Sequence, residues 1–197
     1  MKKTVPNSVV IAFVSIVLFS FKSIDHNISI PVDVSKSKIE WFARKIAGKH
    51  NGFISISSGT FETNGTVVTG GSFEIDTKSM TDVDVHFKSA NRWLMGHLKN
   101  NFFQVDKYPT ASFIITSVTP IADKFEVVGK LTIKDSTQEI RFPAEIVTSP
   151  TTVNATANIK LDRRKFGVNY GSGLIKRMAN NAIYNEFELK INLVAGK

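Results

Sequence analysis

Four histidines are the side chains of this sequence best suited to hold a metal or move a proton: His26, His50, His86 and His97. No two stand three or four residues apart, so no helix face can present a pair of imidazoles, and a metal site would have to be assembled by folding. The absence of cysteine excludes a thiolate metal site, a cysteine nucleophile, a disulfide framework and lipid attachment through an N-terminal cysteine. Serine chemistry fares no better. Gly171-Ser172-Gly173 lacks the strand-to-helix elbow that exposes a hydrolase nucleophile, and the Ser35-to-Lys38 spacing falls by chance in a polar segment. Two carboxylate pairs remain: Asp82 with Asp84, read as opening a helical segment, and Glu186 with Glu188, read as projecting outward from a strand. No catalytic residue, metal ligand or cofactor is assigned, and the chain reads as a non-enzyme.

Three polar features carry a structural reading and a functional one. His50, in Gly48-Lys49-His50-Asn51-Gly52, reads first as a hydrogen-bonding residue at a strand end and second as a contact for the polar head of a ligand. Arg163-Arg164-Lys165 is the densest basic run. It reads first as a solvated face, with Arg163, near Phe166, as the second head-group candidate. His97, beside Leu94 and Leu98, is expected to be a partly buried imidazole satisfied by a backbone group rather than a catalytic base.

The elements that must position these residues are strands, because the dominant period from Lys36 onward is two. Phe125, Val127, Gly129, Leu131 and Ile133 alternate with a mostly polar set. So do Ile140, Phe142, Ala144 and Ile146; Ala155, Ala157, Ile159 and Leu161; and Phe187, Leu189, Ile191 and Leu193. Asn64-Gly65 predicts a two-residue hairpin loop with positive φ at both residues, and Asp135-Ser136-Thr137 and Thr148 to Thr152 predict further turns. Only Asp84 to Asn101 departs, with Trp93, Leu94 and Leu98 at helical spacing and Ser89 as the N-cap. One short helix cannot cover a sheet. The expected fold is therefore all-β, an antiparallel sheet of about eight strands that must close on itself or fold into a sandwich; closed as a barrel, its interior would be either filled or wide enough for one small ligand.

Segments that interrupt the alternation carry a family pattern. In order they are Trp41-Phe42-Ala43-Arg44-Lys45 with the His50 turn; Gly70-Gly71-Ser72-Phe73-Glu74-Ile75-Asp76; Gly96-His97-Leu98-Lys99 with Phe102-Phe103; and Tyr108-Pro109-Thr110-Ala111-Ser112-Phe113. Leu131-Thr132-Ile133-Lys134, Arg141-Phe142-Pro143-Ala144, Leu161-Asp162-Arg163 with Phe166-Gly167, and Ala182 to Phe187 follow. Over roughly Ser35 to Ala195 the chain resembles the YceI-like, lipid- or polyisoprenoid-binding family, in particular its Bacteroidetes-type members. Asp135 and Ser136, and Asn180, Asn181 and Asn185, depart from the usual family residues, which bears on loop detail and not on the barrel.

The resemblance implies a lipocalin-like barrel, periplasmic or secreted, with an isoprenoid, quinone-like molecule or fatty amphiphile in its lumen. Phe73, Ile75, Phe113, Ile115, Phe125, Val127, Phe142, Ala157 and Phe166 would then form the wall, with Trp93, Leu98 and Phe102 at the entrance. The competing expectation is an envelope protein-interaction barrel with a packed core and no ligand.

The 197 residues, 42% of them hydrophobic, suit one domain over 36–197, preceded by an N-terminal linker at 24–35. Lys2 and Lys3 precede an apolar run from Val9 to Phe19, which reads as an export signal over residues 1–23; an uncleaved anchor is the alternative. Without residues 1–20, 23 bases remain against 17 acids. Those bases are dispersed along alternating segments, which argues against nucleic acid. Membrane contact is expected only for ligand exchange.

Overall fold

Strands with one apolar face must bury it, and here they do so by closing on themselves. The computed structural model describes residues 27–45, 48–170 and 183–196. Its strands are β1 (Asn27–Pro31), β2 (Lys38–Lys45), β3 (Gly48–Asn64), β4 (Val67–Asp76), β5 (Thr110–Ile121), β6 (Lys124–Ile133), β7 (Ser136–Thr148), β8 (Val153–Asp162) and β9 (Ile183–Ala195). From β2 to β9 each strand pairs antiparallel with its successor, and β2 pairs with β9, which closes an eight-stranded barrel. The segment expected to be a linker supplies β1, which adds to the outer half of β3 through pairs such as Ile30 with Phe61.

Two local expectations shift. The β3–β4 hairpin turns one residue later than Asn64-Gly65: Asn64 pairs with Val67, so Gly65 and Thr66 make the turn, and Gly65 has the positive φ, +62°. Helix α1 runs Lys88–His97 with Phe87, not Ser89, at its N-cap and no side-chain cap bond. It continues as a π-helical turn, Leu98–Phe103, stopped by Gln104 in the left-handed region at φ 51°. Hydrophobic spacing locates such a helix well, but its ends depend on the chain geometry around it.

The interior is packed at both ends and not between them. One cluster joins Ile30, Phe61, Val68, Val127, Val153 and Ala195. The other joins Phe102, Leu131, Ile133, Leu161, Phe166 and Val168, beside α1 and the π-helical turn. Ile75, Phe113, Phe142, Ala157, Leu189 and Ile191 pack against both clusters yet stay only partly buried. They point inward on their strands, so what they are exposed to is a space inside the barrel.

Candidate functional site

That space is a cavity of about 480 Å³, within the range of about 300–1,000 Å³ found for small-molecule sites. Its wall is overwhelmingly apolar, as the alternation requires: along most of the strands one parity faces it and the other carries the charge, with Arg44 and Lys45 at the end of β2 bordering it as well. Phe73, Ile75, Phe113, Ile115, Val127, Phe142 and Ala157 line it, and Trp93, Leu98 and Phe102 stand on its helical side, where expected. Two assignments are corrected. Phe125 is the second residue of β6 and lies outside the lining, and Phe166, 1% exposed, packs into the cluster beside the helix. Sequence parity finds which face a residue is on but not how far along the barrel it sits. Trp41, Phe61 and Phe187 also line the cavity: the alternation around Trp41 and Phe61 is less strict, whereas Phe187 stands in a clean alternating run that could have placed it on the wall.

Exposed side chains among the lining, Trp93 on α1, Arg44 near the end of β2 and Tyr184 on β9, mark where the cavity meets the surface. His97 is held there among aromatic rings, stacked on Trp93 at 5.2 Å and edge-on to Tyr170 at 4.6 Å, rather than by the backbone group expected. Glu186 and Glu188 face outward toward Lys160, at 3.8 and 3.5 Å, as read from the strand.

Arg163 corrects the solvated reading of its basic run. It begins a 3-10 turn (Arg163–Phe166) that folds it under the barrel, leaving it 5% exposed while Arg164 and Lys165 remain outside. Its guanidinium donates to four carbonyl oxygens: Tyr184 at 3.1 Å, Val168 and Tyr170 at 2.7 Å each, and Ile183 at 3.3 Å. Burial pulls its pKa below the ordinary arginine value. Arg163 also borders the cavity, so it offers positive charge to whatever polar group lies near.

His50 borders the cavity too, and the fold gives it acidic company. The first half of β3 pairs with β2 on one side; on the other, residues 81–83 run along it through Thr81 N to Phe53 O at 2.9 Å and Val83 N to Asn51 O at 3.0 Å. Gly52 makes the approach possible, because a Cβ there would overlap the Thr81 carbonyl. Trp41 Nε1 fastens the same carbonyl at 3.0 Å. In this extended segment residues two apart share a face, which sends Asp82 and Asp84 the same way. His50 Nδ1 lies 3.1 Å from Asp84 Oδ2 and 3.9 Å from Asp82 Oδ2. Burial and the Asp84 carboxyl push the Asp82 carboxyl above its ordinary value. The expectation that the pair opens the helix holds only through Asn91, whose side chain donates to Asp82 Oδ1 at 3.0 Å.

A sequence model described as the YceI-like domain matches residues 31–195. The chain belongs to the YceI-like family. Solved structures agree on the fold. BcnA from Burkholderia cenocepacia shares 23% identity at a TM-score of 0.66, covering 83% of this chain and 99% of that one. A polyisoprenoid binding domain from Saccharophagus degradans shares 14% identity at 0.64, covering 85% and 97%. The Campylobacter jejuni YceI protein shares 20% at 0.52, covering 73% and 80%. A search of curated proteins finds no match. The YceI-like barrel thus accounts for all described residues from β2 to β9, and His50, Asp82, Asp84 and Arg163 are placed by it around one end of the cavity.

Proposed function

We propose that this YceI-like chain is a binding or carrier protein that holds an isoprenoid or a similar long apolar amphiphile in its lumen. The observation that carries the reading is the ring of inward residues that face space rather than one another. A packed-core interaction barrel would have closed that gap. Transfer of each methylene from water into the cavity contributes about 0.8 kcal/mol before ordering costs, so a chain of a few isoprene units binds without a specific polar contact. The polar head would lie toward the mouth, near His50 and Arg163. Nothing in this reading requires a catalytic step.

Cargo of this kind must be exchanged with a membrane, and the mouth supports that too. Phe87 is 82% and Trp93 70% exposed, with Lys88 and Arg92 exposed beside them. Aromatic and cationic side chains together suit the surface of an anionic bilayer. Among the described residues no helix is long and apolar enough to cross a membrane. The proposed setting is the periplasm or the exterior, reached through the export signal at 1–23, which lies outside the described residues.

The test is extraction of the natively produced protein with organic solvent and mass spectrometry of the extract. An apolar amphiphile near one per chain is expected. An empty extract, with no binding of added polyprenol or quinone by the purified protein, would overturn the proposal.

A further inference from the structure

We propose that His50, Asp82 and Asp84 form a divalent-cation site, suited to zinc or a neighbouring first-row transition ion, that clamps residues 81–84 to β3 at the mouth of the barrel. The inference stands apart from the identity of any cargo. Three donor atoms converge: His50 Nδ1 and one oxygen each of Asp82 and Asp84 lie within 4.8 Å of one another. The two separations from His50, 3.9 and 3.1 Å, bracket the roughly 3.3–3.6 Å edge of a tetrahedron with metal bonds of about 2.0–2.2 Å.

The other oxygen of each carboxylate is already held. Asp82 Oδ1 accepts from Val85 N at 2.9 Å and from Asn91 Nδ2 at 3.0 Å, and Asp84 Oδ1 accepts from Asn51 N at 3.0 Å. Outer hydrogen bonds of this kind fix the orientation of metal-binding groups. They leave Oδ2 of both residues aimed at the imidazole.

An independent observation points to a missing partner. The Asp82 side chain has no solvent exposure, and its Oδ2 has no hydrogen-bond partner. A buried carboxylate oxygen without a donor is costly, and it is relieved either by a cation or by a proton. With one imidazole and two carboxylates, the donor set favours zinc, cobalt, nickel or manganese over calcium, which takes six to eight oxygens, and over soft thiolate-seeking ions. His50 and Asp84 retain 23% and 32% side-chain exposure, so water can complete the coordination. The alternative, a proton shared between the two carboxyls, makes different predictions.

The experiment uses untagged protein stripped with a chelator and titrated with zinc in competition with a chromogenic chelator. One zinc per chain is expected, with affinity reduced about tenfold or more in Asp82→Asn and in His50→Gln. His86→Gln, whose residue is exposed and outside the cluster, should bind as the parent does. Zinc should also raise the thermal midpoint of the parent and leave that of His50→Gln unmoved. If Asp82→Asn does not fold, His50→Gln decides alone, since its side chain is partly exposed. No zinc uptake by the parent, or equal uptake by parent and His50→Gln, overturns the site. So does an Asp82→Asn protein more stable than the parent on which zinc has no effect, because that is the behaviour of a shared proton.

Discussion

The rings of Phe113 and Phe142 stand 5.7 Å apart although their strands, β5 and β7, do not pair. Between them runs β6, and Gly129 is the residue that lets Phe113 cross it. A Cβ at Gly129 would lie 2.5 Å from the Phe113 ring and 2.6 Å from the Ile114 carbonyl oxygen. Gly129→Ala is therefore expected to cost about 1–3 kcal/mol, as overpacking does, measured by urea unfolding of delipidated protein. A variant as stable as its parent would mean that the ring can leave this position freely.

Adjacent residues on β7 test the two faces of the wall. Phe142 faces the cavity, whereas Arg141 is 64% exposed and lies near Glu126 and Glu139. Phe142→Asp should abolish extractable lipid, because an unpaired carboxylate in an apolar lumen is strongly disfavoured. Arg141→Asp should leave lipid content unchanged and alter stability by about 1 kcal/mol or less. Equal losses would contradict the assignment of inside and outside.

Ala157 tests whether the space is used. It borders the cavity between Ala144 on β7 and Ile191 on β9. Phenylalanine there should enter the void, so lipid content should fall while the delipidated variant unfolds at the midpoint of its delipidated parent. Both must be stripped first, since bound cargo stabilises by mass action. A loss of about 1–3 kcal/mol in the stripped variant would indicate close packing instead.

Arg163 gathers carbonyls from both sides of residues 171–182, at Tyr170 and Ile183. Arg163→Leu should destabilise by roughly 3 kcal/mol or more, because several buried oxygens lose their donor together. Arg163→Lys should not restore the parent midpoint, as an ammonium group cannot span the fork of a guanidinium. Chemical denaturation of the three proteins provides the comparison.

Asp162 caps the turn that carries Arg163, accepting from Arg164 N at 3.0 Å. Hydrogen bonds from the Arg164 side chain hold its carboxyl below the ordinary aspartate value, against the opposing effect of burial. The folded pKa is thus the lower one, so the stabilisation is complete above about pH 4, the unfolded value. It is lost as pH falls through the folded value. Asp162→Asn should flatten the acid limb of the stability profile and leave the neutral limb parallel to the parent.

Much of the barrel is legible in the alternation, since Ile140, Phe142, Ala144 and Ile146 line the cavity and the residues between them do not. Parity is a local property, and strands express it wherever one face is buried. What could not be read required distance in space. Asp82 and Asp84 meet His50 because residues 81–83 lie along β3, which no spacing in the sequence announces. Arg163 is indistinguishable by type from Arg164 and Lys165, and only the turn sends it inward. Likewise β1 is too short, at Asn27–Pro31, to declare itself before its partner on β3 is known.

The closing ladder of the barrel joins early chain to late chain: Ile39 pairs with Ile191 and Trp41 with Leu189. Every other neighbouring pair in the ring is consecutive, and all but β4 and β5, which residues 77–109 separate, can form as a hairpin soon after the second strand is made. While the chain is being synthesised, β2 must therefore wait with an open edge until β9 emerges. Open edges invite pairing with other chains, and ladders between distant segments form slowly. The ring is finished only when β9 arrives, and so is the lumen: the cavity has no complete wall until nearly all of the barrel has been made.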